Sequence, residues 1–585
     1  DLARFQGREP SEMLGQTAFP PIGELPYLLT LPGHGFYWFL LSKDAEAPRW
    51  HEEWLPALKL STLVLPEGWR SLQPRLAERR EPTSRALTLL QDRVLPEYLP
   101  TRRWYAAKES GLRRVRLGER EQWRDWLLTL LQVELDDGAS ETYFLPLTVF
   151  WETGDTEHDH ATGPEAAAAL ARVRRHATPG LLCDGLADEG LVYALAEAIG
   201  EGGEAPLDNG RLLFEPTAAY ADLAEDGPAG GVRQSGEGSN SGAILGDRLF
   251  LKVYRRLRQG LNPEVELGQF LTEVSPFSQI VPLAGSITYR ADADGEPTTL
   301  AVLQGYVPNQ GDLWAFTLEL LGRLGDERVD EWHSDPAQLS YAALVDTLGR
   351  RIAELHRALA QPGGGEAFDP EPITGDDLAA WRAQIQDEAR ETLARLERHL
   401  PDLDASVQAP AQRLLEQVDT LQARIAALTP QATGAVKTRI HGDLHLGQVL
   451  VVENDVVVID FEGEPARPLE ERRAKHSPLV DVAGLLRSFD YAAASVRERM
   501  AGEHPADAER LAEPLAQWRD DMSRRVLDAY REAASGSAVW PESDEDAEGL
   551  IRLFTLQKAL YEIRYELGNR PQWAAIPIEG TLALL

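Results

Sequence analysis

Apolar positions along the chain change their period partway through. Up to Val307 they come in short runs broken by Gly and Pro: Tyr27 to Leu31 and Phe36 to Leu41 around Pro32-Gly33-His34-Gly35, Trp126 to Leu131, Tyr143 to Val149, and Ala243 to Leu245 with Leu249 to Tyr254 around Gly246-Asp247. Runs of this length bounded by turn residues predict strands and hairpins. Glu165 to His176 and Gly190 to Ile199 read as helices between them, which gives a small α+β unit. Beyond Pro308-Asn309 the apolar period lengthens to that of a helix over Leu313–Leu321, Tyr341–Leu359, Leu378–Leu400, Ala411–Leu428, Arg510–Ala534 and Gly549–Leu567. One non-helical island, Arg439 to Glu464, interrupts this helical half.

The pattern predicts an α+β protein of two lobes with a small α+β cap ahead of them. Its expected divisions are a short β segment over 1–45, a linker over 46–84, the cap over 85–215, a β-rich lobe over 216–308 and a helical lobe over 309–585. The two short runs before residue 42 bury too little to stand alone and need a sheet to join. The opening Asp1-Leu2-Ala3-Arg4 reads as a piece cut from something longer.

Charge narrows the partners. The chain has 59 Lys and Arg against 94 Asp and Glu, a net charge of −35, so its far field repels nucleic acid and anionic membranes. A local basic pocket could still capture a phosphorylated small molecule. Cys183 is the one cysteine, which excludes an intramolecular disulfide and a thiolate zinc cage and fits a reducing, cytoplasmic setting. Leu25 to Leu41, the longest apolar neighbourhood, is too interrupted by Pro and Gly to span a membrane as a helix.

The island carries the chemistry. His441-Gly442-Asp443-Leu444-His445-Leu446-Gly447-Gln448 leads into Val449 to Val452, a polar turn at Glu453-Asn454-Asp455, then Val456 to Ile459 and Asp460-Phe461-Glu462. Two β runs across a short turn form an antiparallel hairpin, so the loops before and after it converge. Asp443, Gln448, Asp460 and Glu462 therefore meet, as hard oxygen donors of the kind that hold magnesium beside a nucleotide phosphate.

His441 to His445 together with Asp460-Phe461-Glu462 resembles the motif pair of the aminoglycoside-phosphotransferase and kinase-like superfamily. More narrowly, His441 to Gln448, Ile459 to Pro465 and Lys475 to Gly484 are similar to maltokinases, over roughly residues 85 to 585. Leu2 to Arg8 and Leu25 to Leu41 look like the end of the C-terminal β domain of trehalose synthase, which some bacteria fuse to maltokinase. No stretch here supplies the barrel that isomerase activity needs.

The resemblance implies a bilobal kinase-like fold that uses ATP and magnesium to phosphorylate maltose at its anomeric hydroxyl, with a trehalose synthase domain or subunit as partner. Asp443 would act as base or hydroxyl-positioning residue, with Gln448, Asp460 and Glu462 at the metal and Asp481 supporting the catalytic loop or capping its helix. Lys252 would pair with the nucleotide phosphates and with an acid on the next helix, Glu266 being the choice and Glu264 the alternative. Ser239, Asn240 and Ser241 stand where a phosphate loop is expected, and Gln304, Tyr306 and Val307 where a hinge would face adenine. His441, Tyr561, Tyr565, Arg570 and Trp573 are the expected sugar contacts, the aromatic pair through ring stacking. Two other readings stay open: a kinase for another sugar or amino sugar such as glucosamine, and a non-catalytic kinase-like module that regulates a trehalose synthase.

Overall fold

The computed structural model describes residues 9–12, 17–18, 22, 39–42, 60–72, 84–108, 110–152, 164–224, 231–235, 238–291, 295–323, 336–503 and 505–585. Near the start, Glu9–Glu12 pairs antiparallel with both Thr17–Ala18 and Phe39–Ser42. The second expected run is thus a strand that has a sheet to join. The run Tyr27 to Leu31 lies outside the described residues.

The cap is an eight-stranded sheet in which the long hairpin Leu112–Trp123 and Trp126–Leu135 is the centrepiece. Three sequence expectations are corrected here. The linker 46–84 contains Thr62–Val64, an edge strand parallel to Ala169–Arg175, because Leu63 and Leu65 alternate inward and the following Trp69 and Leu72 are buried with them in the cap core. Glu165 to His176 is a single 3-10 turn, Pro164–Ala168, followed by the strand Ala169–Arg175, not a helix. Pairing with Thr178–Asp184 across a turn at His176, whose φ is 56°, overrides the helical preference of its alanines. The apolar run Tyr143 to Val149 is cut by Pro146 into Ser140–Phe144 and Leu147–Trp151, since proline has no N–H for a ladder.

The β-rich lobe is a seven-stranded antiparallel sheet. It begins at Gly203–Pro206 and Arg211–Pro216, which the expected boundary at 216 had left in the cap. The helix Glu189–Glu201 joins the two units, because Leu191, Leu195 and Ile199 bury in one core with Leu212, Leu251 and Val302 of the sheet and Trp126 and Leu128 of the cap. Ser241–Leu245 and Leu249–Val253 form the expected hairpin, with Leu249, Leu251 and Val253 facing the core. Phe250 and Lys252 on the other face look into the interlobe cleft.

The helical lobe is built from Leu313–Arg323, Pro336–Leu359, Gly375–His399, Ala405–Leu415, Val418–Leu428, Leu479–Glu503, Pro505–Ala534, Asp544–Asn569 and Ala575–Leu584. The expected helix Ala411 to Leu428 is two, broken at Glu416-Gln417. Inside this lobe Val449–Val452 and Asp455–Val458 form the island hairpin, with Val449 opposite Val458. Ile280 and Asp312 make single β-bridges to Val458 and Leu450, which fixes the hairpin at the floor of the cleft. Among the described residues no helix is long and apolar enough to cross a membrane.

Candidate active site

The register of the hairpin sets the two acid-bearing loops side by side. Gly442 (φ 82°) and Gly463 (φ 70°) let the loops touch: a Cβ added at Gly442 would lie 3.4 Å from the Gly463 Cα. Asp460 itself adopts φ 67°, a left-handed conformation that turns its carboxylate toward the opposite lobe. Lys252 reaches down from that lobe. Its Nζ donates to Asp460 Oδ1 at 2.5 Å and Glu264 Oε2 at 2.7 Å, and pairs with Glu462 Oε1 at 2.6 Å.

The acid that pairs with Lys252 is Glu264, and the choice of Glu266 is corrected. Asn262 caps the helix Pro263–Gln269 by accepting from the Glu264 N–H at 2.9 Å, and Glu264, in the first turn, projects inward under Tyr254 and Gln304. Glu266 lies two residues on, across the helix, and binds Arg439 at 3.1 Å and Arg473 at 2.8 Å.

Burial pulls the Lys252 ammonium down, but Glu264, Glu462 and Asp460 outweigh it and hold the lysine well above its usual value. Burial pushes Asp460 up, yet Lys252 dominates and keeps it down at about 2. Glu462 goes the other way, to about 7, because burial outweighs Lys252 and the two neighbouring acids add to the rise. Glu264, Asp460 and Glu462 offer carboxylate oxygens within 4.8 Å of one another. Gln448 donates to Asp460 Oδ2 at 2.7 Å, so its amide stands in the same shell. An all-oxygen donor set of this kind fits a hard divalent cation such as magnesium.

Ser239, Asn240, Ser241, Gln304, Tyr306 and Val307 all line the same cleft, a cavity of about 360 Å³, with Gln448 and Asp460 on its floor. Asn240 donates to Glu462 at 2.9 Å, which ties the Ser-Asn-Ser loop to the opposite lobe.

Asp443 opens on a separate, smaller cavity of about 70 Å³ shared with Glu464, Gln557, Lys558 and Tyr561. Sequence reasoning missed Lys558, whose Nζ donates to Asp443 at 3.0 Å and lies 4.0 Å from Glu464. The available signal was its place three residues before Tyr561, on the same face of Asp544–Asn569. Burial raises Asp443, but Lys558 and then His445 outweigh it and hold the carboxyl below its ordinary range.

The remaining expected sugar contacts divide. Tyr561 lines the Asp443 cavity. Tyr565 stands beside it at a ring distance of 6.3 Å and is 46% exposed. Arg570 and Trp573 lie outside that lining: Arg570 is bound by Glu566 at 2.8 Å and stacks on Trp573 at 4.6 Å. His441 is also corrected. It is buried, with Nε2 bonded to the Ile459 carbonyl at 2.9 Å and Nδ1 accepting from the Asp443 N–H at 3.3 Å, so it braces the loop from behind.

Asp481, in the first turn of Leu479–Glu503, accepts from the N–H groups of His441 and Gly442, each at 2.8 Å. His356 lies 3.1 Å from the same carboxylate and bonds Tyr530 at 2.8 Å. The acid is spent on the loop and is not the cap residue of its helix.

With this geometry in place, sequence comparison defines the class. Residues 233–513 match the phosphotransferase enzyme family model and residues 98–188 the maltokinase N-terminal cap domain, so these stretches carry a phosphotransferase-type domain and a cap ahead of it. Residues 1–38 match the C-terminal domain of maltogenic amylase. The chain is 28% identical to a glucosamine kinase of Streptacidiphilus jiangxiensis over 447 residues, 72% of this chain and 88% of that protein. Over 42 residues it is 62% identical to a trehalose synthase of Pimelobacter sp., 7% of each chain. A solved structure of glucosamine kinase in complex with glucosamine, ADP and inorganic phosphate shares the mixed α+β kinase-like fold, with a TM-score of 0.53 and 23% identity over 80% of this chain and 94% of that one.

Proposed function

We propose that the chain transfers the γ-phosphate of ATP to the anomeric hydroxyl of maltose. The observation that carries the kinase reading is the meeting of Lys252 with Glu264, Asp460 and Glu462 across the cleft, with Asp443 on the same hairpin but facing a second cavity. This arrangement supports separate seats for a phosphate donor and a hydroxyl acceptor beside one hairpin. In phosphoryl transfer the protein acts chiefly by positioning and charge neutralisation. Lys252 would pair with the nucleotide phosphates while Glu264 holds its ammonium in place. Ser239 and Ser241 would face the phosphates, and Gln304, Tyr306 and Val307 the base. Asp443, kept ionised by Lys558, would accept the hydrogen bond of the attacking hydroxyl and aim it in line. Gln448, Asp460 and Glu462 would hold magnesium, which screens phosphate charge.

The names of the curated relatives favour glucosamine as acceptor. Lys558 favours a neutral sugar, since a protonated amine in the Asp443 cavity would meet an ammonium already seated there. A cavity of about 70 Å³ seats the reacting end of a sugar only, and Tyr561 with the exposed Tyr565 continues from it as an aromatic ledge for a second ring. The N-terminal matches support a trehalose-synthase-type unit as the partner that this kinase works beside.

The deciding experiment incubates the purified chain with ATP, magnesium and equal concentrations of maltose, glucosamine, glucose and trehalose, and identifies the product by phosphorus NMR. Maltose 1-phosphate is expected. A 6-phosphate of glucosamine would replace the acceptor assignment, and no ATP turnover with any sugar would favour the regulatory reading. Asp443→Asn should keep ATP binding and lose sugar phosphorylation by two or more orders of magnitude.

A further inference from the structure

A third cavity, about 190 Å³, adjoins the nucleotide cleft, with which it shares Ser239 and Asn240, and borders the Asp443 cavity at Arg472. Its walls come from three units: Trp104 from the cap, Tyr254, Arg256 and Arg258 from the β-rich lobe, and Glu462 and Arg472 from the helical lobe. Arg256 at the rim is paired with Glu141. Arg258 donates only to the carbonyl oxygens of Pro465 at 2.8 Å and Arg467 at 3.2 Å, and Arg472 to that of Glu462 at 3.0 Å. Among the described residues neither makes an ion pair. That is unexpected in a chain with 94 acidic residues for 59 basic ones, where carboxylate partners are abundant.

The two guanidiniums pay for this arrangement. Burial, and then its neighbour Arg256, lowers Arg258, while burial and then Arg258 lowers Arg472. Arg472 Nε and Trp104 Nε1, in two of the walls, are buried donors with no hydrogen-bond partner. The one carboxylate facing the cavity, Glu462, is already engaged by Asn240 and Lys252. Donors in excess, a single facing carboxylate that is already engaged, and room for several waters define a site for a small, doubly charged oxyanion that accepts forked hydrogen bonds. The volume is below the roughly 300 Å³ at which pockets for whole ligands begin, so a second nucleotide or a disaccharide is excluded.

We propose that this cavity binds a phosphate dianion, free or as the end of a phosphate monoester, held by Arg258 and Arg472 with Arg256 at its mouth. Bound there, the anion would join the cap to both lobes and favour their closed arrangement. The proposal does not depend on which sugar is phosphorylated.

The test uses the full chain saturated with magnesium and adenylyl imidodiphosphate, so that phosphate cannot enter the nucleotide cleft, with binding of that analogue measured separately. Calorimetric titration then compares inorganic phosphate, glucose 1-phosphate and chloride. Saturable binding of either phosphate, weakened at least tenfold in Arg258→Gln and in Arg472→Gln while analogue affinity stays within twofold, supports the site. The tighter of the two names the source. If the analogue itself fails to bind, the same titrations on the free chain and variants still decide. Should Arg258→Gln not fold, Arg256→Gln at the exposed rim is expected to weaken binding several-fold. No saturable phosphate binding, or equal affinity in wild type and folded variants, overturns the proposal.

Discussion

Lys558 Nζ sits 3.0 Å from Asp443 Oδ1, so the acid proposed to orient the acceptor hydroxyl has a built-in counter-ion from the last long helix. This pair links two parts of the chain 115 residues apart and defines the charge of the acceptor cavity. Lys558 is also what lowers Asp443 against its own burial.

Replacing the ammonium should therefore change the pH profile as well as the rate. Lys558→Met removes the main influence that lowers Asp443, so the Asp443 carboxyl should hold its proton to higher pH. The acid limb of kcat/KM for sugar should move upward in pH, and kcat/KM at pH 8 should fall about ten- to a hundredfold, the loss of one charge-assisted contact. An unchanged acid limb would separate Lys558 from Asp443 ionisation. Steady-state rates from pH 5.5 to 9 measure it.

Glu264 and Glu266 give a second contrast on one helix. Glu264→Gln leaves Lys252 with Asp460 and Glu462 only, and the ammonium should drift from the phosphate position, raising KM for ATP about tenfold. Glu266→Gln strands Arg439, which is 1% exposed, and should cost about 3–5 kcal/mol of stability while leaving KM for ATP within twofold. Thermal melts and ATP kinetics on both variants distinguish the roles.

Asp481 predicts a third pattern. Its carboxylate borders the same cavity as Asp443, but it is buried and its two oxygens are taken by the N–H groups of the loop that carries Asp443. Asp481→Asn keeps one acceptor oxygen and replaces the other with a donor that faces an N–H group. A kcat decrease of about a hundredfold with both KM values little changed is expected, with a stability loss of about 2–4 kcal/mol. A rise in KM with kcat intact would mean that Asp481 acts on substrate and not on the loop.

What the sequence made legible follows from where the physics is local. The hairpin at 449–458 was readable because a polar turn between two valine-rich runs has few alternatives, and its register sets the two acid-bearing loops side by side, although Asp460 and Glu462 turn to Lys252 while Asp443 faces a separate cavity. The helices after 313 were readable from their period, although the break at Glu416-Gln417 carries no Gly or Pro to mark it. The strands Thr62–Val64 and Ala169–Arg175 were not, because each is decided by its partner: three exposed-buried-exposed residues become a strand only against Ala169–Arg175, and that segment only in its hairpin with Thr178–Asp184. The same limit applies at the site. Glu264 and Glu266 differ only in which side of one helical turn faces Lys252, and His441 and Asp443 only in which side of the loop is walled by Phe461, 4.9 Å from the imidazole. Lys558 carried no motif of its own that named its partner, which is set by the packing of whole helices, whereas the resemblance around Lys475 to Gly484 already offered Asp481 as a support of the catalytic loop.

His476 supplies the last prediction, on stability. Its ring is stacked on Trp381 at 4.3 Å, edge-on to Phe554 at 5.3 Å, and takes a hydrogen bond from the Ser477 N–H at 2.8 Å. Burial, and then Arg467, depress it to about 3, well below the histidine of an unfolded chain. Between those two values the unfolded state binds the proton and the folded state does not, so stability is full above about pH 6.5 and falls as the pH drops toward 3. One such group gives a slope of at most about 1.4 kcal/mol per pH unit. His476→Phe keeps the aromatic stack and removes the titration. Denaturant midpoints from pH 7 to 5, above the range where most carboxylates titrate, should fall more steeply in the wild type than in His476→Phe, and parallel curves would mean that the imidazole becomes charged without leaving its stack.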